Sequence, residues 1–326
     1  MRAAVVTRYG APEVVEVCTL PRPALGDTDV LIRVCATTVS SGDARVRGRR
    51  VPEGMGLLMR LALGWSRPRN PILGTDCSGV VEAVGAKVSR VKPGDAVVAF
   101  TGATMGAHAE FVRVSGAAPI APKPARLTHG EAASLLFGGI TAYHYLHRAA
   151  QLAARDRVLI VGAAGAVGSA AVQLAHLAGA HVTAVCRSVN HARVTGLGAD
   201  AAIDYTRDDF TRGEARYDVI FDCVGATDYA ACAKALAPGG RLLRAVAGLG
   251  AQLAAPFQGR LSGHRVIAGV TPELQTDLDR LMALAASGAL RPVIDDTLGL
   301  EDVVAAHRRV DEGHKRGNLV LLLDPR

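Results

Sequence analysis

The sequence is poor in aromatic residues and contains no long uncharged apolar run. Aromatic residues make up 4% of the 326 residues, whereas glycine occurs 36 times. This composition is typical of a globular α/β protein with an interior of alanine, valine and leucine. Residues 55–65 are the most apolar stretch, but they include Arg60 and are shorter than the roughly 18 residues of a membrane span. Residues 1–8 lack the apolar core of a signal peptide, so we expect a cytoplasmic protein.

Closely spaced cysteines are also absent. The chain contains no CxxC motif, and its six cysteines are spread along the sequence at positions 18, 35, 77, 186, 223 and 232. This density is too low for a disulfide framework. Most of these thiols are expected to be small buried apolar groups.

The positive charge is concentrated in one segment. The formal net charge is +7, and residues 45–69 contain seven arginines against one acid, Glu53. Because the rest of the chain is nearly neutral, a nucleic-acid partner is not expected. We predict that this segment is a mobile flap over an acceptor pocket, whose arginines attract an anionic substrate or dock on a membrane surface. The alternative is a solvated excursion whose leucines cover a β-rich domain.

The length and the strand pattern predict two domains. Residues 1–125 contain short apolar runs separated by Gly, Pro and Asp, which indicates a mostly antiparallel β domain. Residues 126–270 alternate buried strands with helices, the pattern of a parallel doubly wound sheet. Residues 271–326 contain helical stretches and end in a strand from Asn318 to Leu323, which we expect to return to the first domain.

A glycine-rich turn follows the first strand of the predicted parallel sheet. Residues 158–161 are apolar, residues 162–168 read GAAGAVG, and a helical stretch follows at once. A turn of this kind lets the backbone approach a pyrophosphate at a helix N-terminus. Ala163 stands where the GxGxxG pattern has a glycine, so the strict motif is not met. The strand context nevertheless predicts a dinucleotide site.

The next strand indicates which dinucleotide is bound. NAD-binding proteins usually have an acidic residue about 20 positions past the glycine turn, which binds the ribose 2′-hydroxyl. No Asp or Glu occurs from Ser169 through Ala199, and the strand ends in Cys186, Arg187 and Ser188. A guanidinium and a hydroxyl there favour the 2′-phosphate of NADPH.

At this point the sequence resembles the quinone-oxidoreductase branch of the medium-chain dehydrogenase/reductase superfamily. The likeness extends over nearly the whole chain, through short motifs at residues 7–10, 73–76, 92–95, 162–168, 198–200, 222–225, 237–240 and 316–318. It implies an α/β protein with a GroES-like β-rich catalytic domain, residues 1–125 and 271–326, and a Rossmann domain, residues 126–270. It also implies a homodimer.

The resemblance carries several site residues over to this chain. The family loop usually reads AAxGGVG, so Gly162 and Ala166 are departures. Val167 would contact the nicotinamide, Thr141 would lie beside it, and Tyr205 would lie near the adenosine phosphate. The remaining cofactor-binding residues implied by the resemblance are Ala163, Gly165, Ala166, Gly168, Val224, Gly225 and Asn318.

The zinc ligands of related alcohol dehydrogenases have no counterpart in this sequence. Ser40 stands at the position that resembles the first zinc-binding cysteine, and Gly74-Thr75-Asp76 replaces the usual Gly-His-Glu. The four-cysteine structural lobe is missing as well. We therefore expect no metal, and an acceptor that is already electrophilic. Ser40 and Asp43 are the candidate catalytic residues, with the Ser40 hydroxyl donating to a substrate oxygen.

Three functions remain open at this stage. The first is an NADPH-dependent quinone or enone oxidoreductase that acts without zinc. The second is an enoyl or alkenal double-bond reductase with the same cofactor. The third is a cofactor-binding relative without turnover, with a structural or nucleic-acid-binding role.

Overall fold

The structure, a computed structural model, describes residues 1–50, 54, 56, 60–61, 64–213 and 216–323. The chain divides into two compact units, one formed by residues 1–51, 56–137 and 273–326 and the other by residues 52–55 and 138–272. One unit is built on β-sheets of mainly antiparallel strands and the other on a parallel sheet, so the predicted fold class is confirmed. No described helix is both long and apolar enough to cross a bilayer.

The first unit begins with short strands around an apolar core. The paired strands β1 and β2 form a separate ribbon, and β3 is the long central strand of the main sheet. Val30 and Ile32 of β3 are fully buried. The elements are β1 (Arg2–Val6), β2 (Val15–Thr19), β3 (Asp29–Val39), α1 (Ser41–Gly48), β4 (Asp76–Val84), β5 (Ala96–Phe100), β6 (Phe111–Ser115), β7 (Ile120–Pro122) and α2 (His129–Ser134).

The second unit contains a six-stranded parallel sheet in the order β10-β9-β8-β11-β12-β13. Val158, Leu159 and Ile160 of β8 are all fully buried, as expected when both faces of a parallel sheet are covered. The elements are α3 (Leu136–Tyr143), β8 (Arg157–Val161), α4 (Ala166–Leu177), β9 (His181–Val185), α5 (His191–Gly196), β10 (Ala201–Ile203), β11 (Tyr217–Asp222), α6 (Tyr229–Ala235), β12 (Leu236–Arg244), α7 (Leu249–Ser262) and β13 (Arg265–Ala268).

The C-terminal residues complete the main sheet of the first unit. The last strand pairs antiparallel with β3, with Leu319 opposite Val39. The resulting order is β14-β15-β3-β4-β5-β7, and β6 also pairs with β3. These elements are α8 (Gln275–Ser287), β14 (Ile294–Gly299), α9 (Val303–Glu312) and β15 (Asn318–Leu322).

Strand register brings three loops of the second unit to one edge. Val161 at the end of β8 is opposite Val185 of β9 and Asp222 of β11. The strand order reverses at β8, because β9 lies on one side of it and β11 on the other. Ligands of doubly wound sheets bind at the carboxyl edge next to such a reversal. The loops after β8, β9 and β11 therefore form the candidate cofactor edge.

The turn between β8 and α4 depends on a very close backbone contact. A methyl group built at Gly168 would lie 2.2 Å from the Gly162 carbonyl oxygen and 2.6 Å from the Ala163 Cα. Both contacts are with backbone, which cannot rotate away. At Gly165 the nearest atom to such a methyl group is 3.5 Å away.

We predict that Gly168→Ala destabilises the protein by about 1–3 kcal/mol, because the added methyl group forces the strand and helix apart. Gly165→Ala is the matched control, since its backbone already has an ordinary φ of −79° and the methyl group has room. Urea unfolding of both variants measures the difference. Equal stability of the two would show that the close contact is not a constraint.

Candidate active site

The loop after β8 is held to the sheet by its own backbone. The amides of Gly162 and Ala163 both donate to the Val185 carbonyl oxygen, at 3.1 and 3.2 Å. The Ala163 amide is therefore committed to the sheet, and this fully buried residue shapes the loop rather than offering a donor to a ligand. Gly165 is the N-cap residue of α4, and because glycine has no side chain, no side-chain hydrogen bond caps the first turn.

The first turn of α4 presents backbone amides at the cofactor edge. Ala166, Val167 and Gly168 occupy this turn, where amides have no intrahelical acceptor. The helix dipole adds partial positive charge at the same place. A pyrophosphate fits such a donor set. These three residues and Gly165 form the turn that the sequence pattern assigns to the dinucleotide, and their binding role stays a prediction.

The candidate residue Thr141 lies on a helix that touches this turn. A methyl group at Gly138 of α3 would lie 2.3 Å from the Ala166 carbonyl oxygen, so the helix packs directly on the loop backbone. Thr141 follows Gly138 by three residues and lies on the same side of α3. The sequence reasoning missed Gly138. A pair of glycines inside an otherwise apolar helix was the available signal.

The end of β9 presents an exposed arginine. Arg187 donates from Nε to the Tyr205 hydroxyl at 3.0 Å, which orients the guanidinium. Neither of its terminal nitrogens has a partner within residues 1–50, 64–213 and 216–323 or the isolated described positions between them. Ser188 is also exposed. Arg187, Ser188 and Tyr205 therefore lie together, with Arg187 available to an anion.

Asp204 positions the loop after β9 and was not identified from the sequence. Its carboxylate accepts from the Ser188 amide at 2.9 Å and from the Thr206 amide and hydroxyl at 3.0 and 2.7 Å. These hydrogen bonds, led by those of Thr206, hold the Asp204 pKa well below its usual range. The signal was the Asp-x-Thr spacing of residues 204–206, which favours a local carboxylate turn. Because its oxygens are engaged, Asp204 does not replace the missing ribose-binding acid.

A second buried aspartate builds the loop after β11. The fully buried Asp222 accepts from the amides of Val224 and Gly225, at 3.0 and 2.8 Å, and from the Thr227 hydroxyl at 2.7 Å. The turn places Val224 over the glycine loop, because a methyl group at Gly162 would lie 2.6 Å from the Val224 side chain. Val224 and Gly225 thus reach the predicted cofactor edge.

In the first unit, Ser40 and Asp43 cap the start of α1. The Ser40 amide and hydroxyl donate to Asp43 Oδ2 at 2.8 and 2.6 Å, and the Asp43 amide donates to Ser40 Oγ at 3.2 Å. The other Asp43 oxygen accepts from the Gly74 amide at 2.9 Å. Both residues are almost completely buried, Ser40 at 2% exposure. The Ser40 proton is therefore directed at Asp43.

Burial raises the pKa of two further carboxyl groups of this unit, Asp76 and Glu273. Burial, with a smaller effect of the nearby Asp43 charge, raises the pKa of Asp76 well above its usual range, although Thr38 donates to it at 3.1 Å. Burial raises the pKa of Glu273 to about 7. Glu273 lies against Gly102, since a methyl group there would be 3.2 Å from Oε2. Sequence reasoning did not identify Glu273 because its environment comes from distant loops.

Asn318, the remaining cofactor candidate, lies at the start of β15. It is 4% exposed, and its side-chain amide donates to the Val293 carbonyl oxygen at 3.1 Å. The described contact is thus structural. The approach of Asn318 to the cofactor stays a prediction.

The predicted flap at residues 45–69 is described only in part. Residues 51–53, 55, 57–59 and 62–63, which include most of the apolar run, lie outside the described residues. Leu61 and Trp65 are 58% and 62% exposed, and the Tyr9 hydroxyl donates to the Gly64 carbonyl oxygen at 2.9 Å. The flap and its membrane contact stay predictions.

The raised pKa of Glu273 predicts a pH-dependent stability difference. The Glu273 carboxyl has a pKa near 4.5 in the unfolded chain and about 7 in the folded protein. Between these two pH values the folded state binds more protons than the unfolded state, so the free energy of unfolding falls as the pH rises from 4.5 to 7. Glu273→Gln stays neutral throughout. We expect the variant to be more stable than the wild type by about 1–2 kcal/mol at pH 8, after allowance for solvent screening, and by much less at pH 5. Urea unfolding at both pH values measures this, and a pH-independent difference would contradict it.

The comparisons with known proteins agree with this geometry. Residues 26–125 match the alcohol dehydrogenase GroES-like domain, and residues 197–321 match the zinc-binding dehydrogenase family. The chain is 30% identical to "NAD(P)H oxidoreductase RTN4IP1, mitochondrial" of Mus musculus, over 98% of this chain and 89% of that protein.

Two further proteins illustrate the range of relatives. The chain is 30% identical to the 2-methylene-furan-3-one reductase of Solanum lycopersicum, over 98% of this chain and 79% of the relative. The quinone oxidoreductase from Coxiella burnetii has the same fold, with a TM-score of 0.87 and 27% identity over 99% of both chains. Together with the glycine turn and the strand order, these matches show that the chain belongs to the quinone-oxidoreductase-like medium-chain dehydrogenase/reductase family, whose members are nicotinamide-dependent oxidoreductases.

Proposed function

We propose that this protein is an NADPH-dependent reductase that acts without zinc on an activated acceptor, a quinone or an enone. The observation that carries the cofactor choice is the Arg187 guanidinium, which is exposed at the end of β9. In NAD-binding proteins of this fold, that place is taken by an acid. A free cation there favours the 2′-phosphate.

The surroundings of Arg187 support this choice. The nearest acid, Asp204, is 6% exposed and is occupied by the Ser188 amide and Thr206. The Tyr205 hydroxyl accepts from Arg187 Nε, which leaves the two terminal nitrogens of this exposed side chain open to a bidentate contact. Tyr205 is therefore proposed to orient Arg187, and Ser188 to donate its hydroxyl to the same phosphate.

The remaining cofactor residues fit the same group. In this proposal the amides of Ala166, Val167 and Gly168 bind the pyrophosphate. Thr141 and Val224 line the nicotinamide end of the site. When bound, NADPH supplies the hydride. The protein's part is to hold the dinucleotide against the carboxyl edge of the sheet and to exclude water there.

The donor set argues against a catalytic zinc. Ser40 and Thr75 stand where related alcohol dehydrogenases have cysteine and histidine ligands, and neutral hydroxyl oxygens are poor ligands for zinc. Burial raises the pKa of Asp76, which disfavours the carboxylate form that would bind zinc. No cluster of three or more His, Cys, Asp or Glu suited to a metal occurs among the described residues. Without a Lewis acid, the acceptor must itself be electrophilic.

The proposed role of Ser40 depends on a local rearrangement. Its hydroxyl lies 2.6 Å from Asp43, so donation to a substrate oxygen requires Oγ to rotate away from that carboxylate. Asp43 is proposed as a positioning residue, because it ties the start of α1 to the Gly74 amide. Solvent is the proposed final proton source.

Quinones and enones are the two acceptor classes that the relatives suggest. The Coxiella protein is named a quinone oxidoreductase, and the tomato protein a 2-methylene-furan-3-one reductase. NADPH consumption with a panel of both classes separates these activities. Two results together would support the non-catalytic alternative. The protein would bind single-stranded nucleic acid with an affinity that falls as salt is added, and it would consume no NADPH with any acceptor.

A homodimer and a cytoplasmic location also stay proposals. The outermost strand β13 pairs with β12 alone among the described strands, so its other edge is open to a second copy. Light scattering of the purified protein tests the dimer. Fractionation of cells tests the location.

We predict that Arg187→Gln weakens NADPH binding by about ten- to a hundredfold, the effect of one charge-assisted phosphate contact. NADH binding should change little. The control is Arg157→Gln, which removes an arginine at the opposite end of the sheet, paired with Asp218 at 3.4 Å. Fluorescence titration with both cofactors measures the ratio. An unchanged ratio would show that Arg187 does not bind the phosphate.

The zinc-free proposal predicts that purified protein carries no stoichiometric zinc and keeps its reductase activity after chelation. Elemental analysis and assays before and after treatment with 1,10-phenanthroline measure both. One tightly bound zinc per chain, with activity lost on its removal, would overturn the proposal.

A further inference from the structure

Three of the four arginines on or just after α1 have partners in the described structure. Arg47 and Arg50 both donate to the Asp311 carboxylate, each at 2.5 Å. Arg49 stands over the Tyr9 ring, with 5.5 Å between the guanidinium carbon and the ring centroid. Each of these three guanidinium groups therefore has a carboxylate or an aromatic face beside it.

Arg45, the fourth arginine, differs from its neighbours. It is partly buried, and this burial lowers its pKa with no acid acting against it. It has no acceptor, acid or aromatic ring within the part of the chain that the structure describes. Its nitrogens are not among the fully enclosed, unpaired atoms, so they still reach solvent. A partly desolvated cation without a counter-ion is unfavourable unless a ligand supplies the missing charge.

The position of Arg45 on α1 connects it to the candidate active site. Asp43 and Arg47 are one turn apart and fully buried, so they define the core face of the helix. Ser41 and Arg45, also one turn apart, are both partly exposed and lie on another face. Arg45 is five residues past Ser40, about 7.5 Å along the helix axis. A small acceptor with its reacting group near Ser40 could therefore extend a substituent to Arg45.

We propose that Arg45 binds a carboxylate carried by the acceptor, which makes anionic enones or quinones the preferred substrates. The substrate preference in this inference rests on the proposed reductase function, but the carboxylate-binding site can be tested without turnover. The guanidinium offers the planar pair of donors that a carboxylate accepts. The hydroxyl of Ser41 supplies a further donor on the same face.

A binding experiment tests the site directly. The probes are 4-oxopentanoate and its methyl ester, which differ in charge and cannot be reduced at a conjugated double bond. Ligand-observed NMR titration should show that Arg45→Gln weakens the acid by about ten- to a hundredfold and leaves the ester unchanged. Arg45→Lys should retain part of the affinity. Arg49→Gln, the control with an exposed arginine on the same segment, should bind the acid as the wild type does.

A turnover experiment uses the conjugated pair (E)-4-oxopent-2-enoate and its methyl ester with NADPH. Arg45→Gln should raise KM for the acid by the same factor, with kcat nearly unchanged, and should leave KM for the ester as it is. Added salt should raise KM for the acid only. Thermal unfolding of both glutamine variants checks that the fold is kept.

The two proposals fail in different ways. Equal binding of acid and ester by the wild type, or equal weakening of both in Arg45→Gln, would overturn the carboxylate site and make Arg45 a surface residue whose stem covers α1. Reduction of both compounds with no dependence on Arg45 would leave the reductase proposal standing. Binding of the acid that depends on Arg45, without NADPH oxidation by either compound or by any quinone, would keep the anion site and overturn the reductase.

Discussion

The cofactor edge depends on one contact that leaves no room for a side chain, that of Gly168 against the Gly162 carbonyl. This approach lets α4 start directly at the end of β8, so that the first-turn amides lie at the carboxyl edge of the sheet. Gly138 of α3 packs against the same turn from another side, because its backbone lies against the Ala166 peptide. The two contacts together determine where a pyrophosphate can bind. Every other proposed cofactor residue is placed relative to that position.

Carboxylates have two opposite roles in this protein. Asp204 and Asp222 are surrounded by amide and hydroxyl donors, and they hold the loops after β10 and β11 in shape. Asp76 and Glu273 lie in poorly solvated places with few donors, and burial raises the pKa of each. The difference arises from the number of hydrogen-bond donors that face each carboxylate. The first pair organises the backbone, whereas burial favours the protonated form of the second pair.

The excess positive charge has a local explanation. Arg47 and Arg50 share Asp311, which leaves their combined charge only partly neutralised. Arg187 and Arg45 have no acidic partner among the described residues. Arg187 lies just past the end of β9, and Arg45 lies on α1, and both elements belong to proposed binding sites. Unpaired guanidinium groups in such places favour anionic ligands over a general affinity for nucleic acid. A cofactor phosphate and an acceptor carboxylate would account for both.

The sequence by itself determined the fold class and the identity of the glycine turn, because these depend on local apolar runs and on glycines at short spacing. It also predicted that Arg187 stands at the end of the second strand of the parallel sheet. NAD-binding proteins usually have an acid at that position, and this sequence has none there. Only the tertiary structure showed that Asp204 is occupied by Ser188 and Thr206, and that the Ser40 proton is directed at Asp43. It also showed that Arg45 has no partner among the described residues, whereas Arg47 has one. Such facts depend on contacts between residues far apart in the chain, and on burial that no local pattern encodes. For that reason Gly138, Asp204 and Glu273 were found only in the folded chain.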